Sequence, residues 1–414
     1  MTNLVVTALT ISFLFSHPQA EPPDTLLINN PFRKYIPSDS LETLLLNAPN
    51  VRPGTPAEQG YTELMLAVLD KDMERVNELV NSRSNIDAAD SLGWTALMFS
   101  AETGIREISR AIVEAGADVN LQNKKGYSAL MHAAQNGFPE IVQLLIEAGS
   151  DIDARNSLDN TALIQALGRN RLKSAQILLE AGADTELRNQ KAFTAFLMAA
   201  ADGNIPMAEL ILRHGADHKA RINDGFSAFM LAAENGKTEM CRFLLDRGAK
   251  IEEKDKYNTT ALLAAAKLGH VQTVRFLISV GAKLDACLKD GFNALMLAAE
   301  FNKLETVRLL IEQGIDVNHK CKYGSTALLV AAHKGHEDVL KTLIEAKADP
   351  NIIAFNGRTA LMLAAGSGSG VMVRALLDAG ADPGIKDRNG NTARFHAANA
   401  GYMNLADFLE QSEK

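Results

Sequence analysis

The chain of 414 residues carries three cysteines, one tryptophan and only four prolines beyond residue 56. Each shortage removes a class of protein. Three cysteines (Cys241, Cys287 and Cys321) cannot supply the disulfide framework that staples a small secreted domain. No cluster of five to eight Lys or Arg occurs and the formal net charge is −8. A phosphate backbone therefore finds no positive stripe, and nucleic acid is not expected as a partner. The one long apolar run, Leu4 to Phe15, is 12 residues, short of the ~20 a membrane-spanning helix needs. No stable membrane span is expected.

What is present is repetition. A motif of the type Gly-x-Thr-Ala-Leu-Met returns every 33 positions, at 60, 93, 126, 159, 192, 225, 258, 291, 324, 357 and 390, with no insertion or deletion. Glycine holds eight of the eleven places. A fixed period of this length marks a solenoid, in which each unit buries its apolar face against its neighbours. Roughly 355 residues share one register and no linker divides them, so the two or three domains expected of this length are excluded.

One unit shows the design. Ser128 is an N-cap for the short helix Ala129-Leu130-Met131-His132-Ala133-Ala134, and Gly137 ends it. Asn170 and Asn302 stand at the place of Gly137 in their own units, as suits a left-handed residue. A second helix over 140–148 puts Ile141, Leu144 and Leu145 on one face, and Gly149 leads into an extended arm. Paired alanines, such as Ala133-Ala134 and Ala232-Ala233, keep the first helix thin enough for close stacking. Cys241 falls on an apolar position of a second helix and reads as core. Cys287 and Cys321 fall in turns of adjacent units. Helices stacked about 8–10 Å apart hold such positions beyond the roughly 7 Å bridging limit, so free thiols are expected.

The N-terminus differs in kind, with eight of the twelve prolines within the first 56 residues. Residues 1–20 have the apolar core of a signal peptide, with a processing point after Ala20. The same run also suits a docked apolar terminus of a cytosolic protein. Residues 21–59 form a Pro-rich segment with a short helix, capped by Asp39 and Glu42, that covers the first unit.

A helix–turn–helix with an arm in 33 residues resembles the ankyrin repeat. The matching stretches include Gly93-Trp94-Thr95-Ala96-Leu97-Met98, Gly335-His336-Glu337 and Gly116-Ala117-Asp118-Val119-Asn120. The resemblance spans 60–414 and implies an all-α ankyrin-repeat solenoid of helix-turn-helix units with β-turn arms, as ten full repeats and a C-terminal cap. Two departures are systematic. The family's Pro is Ala in ten repeats (Ala96 through Ala393) and Glu63 in the first. The family's His is Met, Leu, Ile or Phe (Met98, Met131 and Met230, for example), which exchanges hydrogen bonds between repeats for apolar packing. Repeats 159, 192 and 357 look weaker. The last of these contains Gly366-Ser367-Gly368-Ser369-Gly370, which should loosen its inter-helix turn. Arg394 at a usually buried Leu position suits a solvent-facing end.

Catalytic motifs are missing. Gly236-Lys237-Thr238 has no preceding strand or matching upstream glycine for a phosphate loop, and the histidine pairs lack partners at metal-site spacing. No enzyme activity, cofactor or small-molecule ligand is expected. The resemblance implies a concave binding face built from turn tips and first helices, and aromatics recur at its edge. Tyr61, Trp94, Tyr127, Phe193, Phe226 and Phe292 follow the repeat position, Tyr257, Tyr323 and Phe355 precede it, and Phe301 ends a first helix. Such residues dominate interfaces. Lys124, Lys125, Asp224, Lys256, Lys289, Asp290, Lys322, Lys334 and Arg358 supply a rim of mixed sign, which favours a protein partner. The expectation is a non-enzymatic scaffold, periplasmic or secreted if residues 1–20 direct export, that inhibits or chaperones an exported enzyme. The alternatives are a host-directed effector that binds cytosolic signalling proteins, and a cytoplasmic location.

Overall fold

A computed structural model describes residues 60–82 and 85–412 of the chain. The expected signal peptide, the Pro-rich segment and its capping helix lie outside the described residues. Twenty-two helices run from Glu63–Leu69 to Met403–Ser412, two per repeat, and the described residues contain no strand. Three isolated antiparallel bridges, Gln122 with Ser128, Arg221 with Ser227 and Cys287 with Asn293, mark the arms.

The first helix of each unit begins where the sequence places its cap. In ten of the eleven units the side chain of Thr, Ser or Asn accepts a hydrogen bond from the backbone three residues on, as Ser128 Oγ does from Met131 N at 3.3 Å. Such a cap contributes about 1 kcal/mol. The alanine in place of the family's proline becomes the first helical residue, since Ala carries the best intrinsic propensity. Between the two terminal units these helices are sandwiched by neighbours, so most of their residues are buried; 129–135 is an unbroken example. The second helices present one stripe only, such as Ile141, Val142 and Leu145. Met98, Met131, Met230, Met296 and Met362 are at most 2% exposed, which confirms apolar packing where the family carries histidine. Cys241 and Cys321 are buried, Cys287 half-buried, and all three thiols are free.

Two sets of hydrogen bonds tie most repeats to the next. At the turn tips a backbone N–H donates to the carbonyl 32 residues earlier: Lys124 to Leu92, Ser157 to Lys125 and Gln190 to Leu158, then from Lys256 on Asp224 through Arg388 on Asn356, at 2.8–3.3 Å. In the arms a side-chain oxygen accepts from the N–H 31 residues later. Asn120 Oδ1 receives Asp151 N at 2.7 Å, and Asn351 Oδ1 receives Asp382 N at 2.8 Å. These bonds exist because every unit has the same length.

The residue that ends each first helix is left-handed throughout, Asn170 (φ 55°) and Asn302 (φ 54°) included. Glycine there also makes room. A Cβ on Gly104 would fall 2.4 Å from Cε1 and Cζ of Phe138, in the next repeat. The weak-looking repeats keep the same backbone: Asp159 and Ala192 adopt φ 59° and 64° in the turn that eight other repeats fill with glycine. The 366–370 segment is closed, not loosened. Ser369 caps the second helix through Met372 N at 3.2 Å and donates to Glu337 Oε1 at 2.8 Å. Two serines among three glycines provide the side-chain oxygens that close the turn.

Candidate binding face

Six of the turn tips are each closed by one carboxyl or amide oxygen. Asn123 Oδ1 accepts from Lys125 N at 2.9 Å and Tyr127 N at 3.0 Å, and Asp90, Asn156, Asn189, Asp255 and Asp387 do the same in their repeats. Side chains at these six tips are therefore presented by a fixed backbone.

The ten aromatics divide into three groups. Tyr61, Trp94 and Tyr127 are half-buried and interleave with the seventh residue of each repeat. Tyr61 meets Phe99 edge-on at 5.3 Å between ring centres, Trp94 lies 5.3 Å from Phe99 and 4.2 Å from His132, and Tyr127 lies 5.3 Å from His132. Tyr257, Phe301, Tyr323 and Phe355 are half-buried or exposed, Phe355 at 56%. Lys256 stands over Tyr257 and Lys267 over Phe301, each at 4.9 Å, and the Arg388 guanidinium lies 3.9 Å above the Phe355 ring centre.

Phe193, Phe226 and Phe292 are not on the surface; they are 7%, 6% and 2% exposed and belong to the core. The repeat that follows each of them offers Leu231, Ala264 or Val330 at the place where Phe99 and His132 stand. These aliphatic neighbours leave the phenyl ring room inside, whereas Phe99 and His132 keep Tyr61 and Trp94 outside. The expected continuous ridge is thus two patches, one over repeats 60–126 and one over repeats 258–357.

Residues that the aromatic pattern does not single out complete the first patch. His132 Nδ1 is 2.9 Å from Glu102 Oε2, which also accepts from Asn136 Nδ2 at 2.7 Å, while His132 Nε2 is buried without a hydrogen-bond partner. Gln165 Nε2 reaches the Tyr127 hydroxyl at 3.4 Å. The signal for them was the seventh place of the repeat, where aliphatic residues give way to Phe99, His132 and Gln165.

The rim is not of mixed sign everywhere. Asp224 and Asp290 are 7% and 5% exposed, with Asp224 paired to Lys256. Lys289 and Lys322 are exposed. Farther along the first helices, burial pushes the Glu234 carboxyl up to about 8 against the opposing pull of Lys267, and raises Asp202 against Lys237. Burial lowers His270, whose ring is hydrogen-bonded to the Glu234 carbonyl. His336 Nε2 makes the equivalent contact with the Glu300 carbonyl at 3.0 Å. Among the described residues, no group of three or more His, Cys, Asp or Glu is placed to hold a metal ion. None of the described helices is long and apolar enough to cross a membrane.

Stacked helix pairs joined by hydrogen-bonded tips define a tandem-repeat binding protein, whose surface is assembled from neighbouring units rather than from one closed pocket. A family model for ankyrin repeats (3 copies) matches residues 36–123, 112–189, 196–286, 280–354 and 348–413, and the chain belongs to the ankyrin-repeat family. Such arrays are in general non-enzymatic scaffolds for protein–protein interaction. No curated protein matches the chain.

Proposed function

We propose that the chain binds a folded protein partner through its turn tips and first helices, with Tyr61, Trp94 and Tyr127 as anchors. The observation that carries this is the stack in which half-buried Tyr61, Trp94 and Tyr127 rest on the buried rings of Phe99 and His132, an amphipathic aromatic surface on a rigid backbone. Aromatics held by neighbours lose little freedom on binding and bury about 150–250 Å² each. The apolar run Leu4–Phe15 supports an exported setting and hence an exported enzyme that is inhibited or chaperoned. A host-directed effector is distinguished from this by cell fractionation, which would place it outside the envelope.

The test is affinity purification of the full chain against the Trp94→Ala/Tyr127→Ala variant. Truncation of an interface anchor costs roughly 2 kcal/mol or more, about thirtyfold in affinity. The wild type is expected to enrich a protein that the variant loses while the two melt within a few degrees of one another. Equal capture by both, or no enrichment over a bait-free control, refutes the reading.

A further inference from the structure

The second patch has a chemistry of its own. The residue two places before the turn position is Lys256, Lys289, Lys322, Phe355 and Arg388 in five consecutive repeats. All five donate their backbone N–H to the preceding tip, at 3.0, 3.0, 2.9, 2.8 and 3.3 Å. The ladder fixes their side chains in register, one repeat apart. All five are exposed, whereas the carboxylates of the same turns are turned inward: Asp290 and Asp387 are buried, and Asp255 Oδ1 accepts from Tyr257 and Thr259 N–H at 2.8 and 2.7 Å. Lys289 and Lys322 have no ion-pair partner among the described residues. Between them and Arg388 stand the exposed rings of Tyr323 and Phe355. A chain of net charge −8 thus presents a row of cations spaced by rings.

We infer that this row docks an extended acidic segment of the protein partner, in polyproline II conformation, with a carboxylate at every third residue. The inference rests on the scaffold reading and adds the chemistry of what is bound. Adjacent repeats are spaced by about 8–10 Å, the distance between packed helices. Polyproline II turns once in three residues and rises ~3.1 Å per residue, so every third side chain faces the same way about 9 Å on. A β-strand shows one face every two residues, about 6.6 Å, and misses the register. Exposed aromatic rings are the surface that polyproline II segments use. A duplex carries one phosphate charge per ~1.7 Å, far denser than one cation per repeat, which argues against nucleic acid.

Fluorescence anisotropy on the full chain tests this with dye-labelled peptides of four Glu-Pro-Pro triplets, and of the same composition with the glutamates at one end. The triplet peptide is expected to bind about tenfold more tightly than the blocked one. Its affinity should fall at least tenfold in Lys289→Glu/Lys322→Glu and with rising salt, as screening of surface charges requires. Lys289→Gln/Lys322→Gln should give a smaller loss, and Lys173→Gln, exposed on the second helix Leu172–Glu180 and outside both patches, no change. Both lysines act through exposed side chains and keep their ladder N–H, so circular dichroism should match wild type. Equal binding of the two peptides, or indifference to the lysine substitutions, overturns the proposal. So does tighter binding of an alanine-rich helix bearing Glu at every seventh residue, or of a single-stranded oligonucleotide of equal charge. None of these outcomes bears on the Trp94 patch, so failure here leaves the capture experiment to decide the scaffold reading.

Discussion

The stacking of repeats rests on glycines that are needed for two separate reasons, and one pair of substitutions separates them. Gly104 and Gly335 occupy the same place, ending Ala96–Thr103 and Ala327–Lys334 with φ of 79° and 75°. Alanine at either site carries the left-handed cost of about 1–2 kcal/mol, offset by ~0.4–1 kcal/mol from a stiffer unfolded chain. At Gly335 nothing lies within 4 Å of the added Cβ. At Gly104 the Cβ falls 2.4 Å from two atoms of the Phe138 ring and 2.8 Å from a third. A ring has no flexible end to withdraw, so the helix ends of the two repeats must part, at about 1–3 kcal/mol for overpacking. Gly104→Ala should therefore be the more destabilising by about 1–3 kcal/mol. Urea unfolding followed by circular dichroism measures both variants. The sole tryptophan, Trp94, packed on Phe99 and His132, reports the affected repeats in the first of them. Phe138→Ser, which reproduces Ser369 opposite Gly335, should remove the excess. The reasoning fails if the two alanines cost the same, or if the excess survives in the Phe138→Ser background.

Two further outcomes follow from burial. Glu234 is 3% exposed and its carboxyl is pushed up to about 8 by burial, above the ordinary 4.5. A raised folded value means stability that is full below about 4.5 and is lost as pH climbs toward 8, at a limit of ~1.4 kcal/mol per unit of separation. Glu234→Gln should thus melt close to wild type at pH 5 and gain on it steadily up to pH 8. A difference in melting temperature that stays flat over that range would remove the buried-acid account. Phe292→Ala should act as a core deletion, costing about 3–5 kcal/mol in denaturant unfolding. A loss under 1 kcal/mol would return Phe292 to the surface.

Why the fold was legible and the face only partly so has one explanation. The helix caps, the terminating glycines and the paired alanines act within one repeat, and their roles depend on backbone geometry that 33-residue spacing reveals directly. Asn170 and Asn302 were readable because their own side chains tolerate the left-handed conformation. The direction of an aromatic beside the turn depends on a residue about 38 positions later, as Trp94 does on His132 and Tyr127 on Gln165. That dependence crosses a repeat boundary, and a register read one unit at a time misses it. Charge sign failed for a similar reason. Asp224 and Asp290 look like rim in the sequence, but Asp290 Oδ1 accepts from Phe292 N at 3.2 Å and Asp224 holds Lys256, so both point inward.

The absence of insertions then has a functional consequence. With units of one length, residues sharing a register place line up at a constant interval, and the tip ladder turns that interval into a fixed distance. Lys256, Lys289, Lys322 and Arg388 form a row only because Lys289 N–H meets Tyr257 O and Lys322 N–H meets Asp290 O. One extra residue in any of these turns would break the hydrogen bond and shift every later cation relative to the earlier ones. Loop insertions are cheap in a globular domain, since closure entropy grows slowly with length. Here the cost falls on the surface as well as on the stack. Under the docking proposed above, uniform length is thus a property of the binding face, because one three-residue turn of the bound segment must match one repeat.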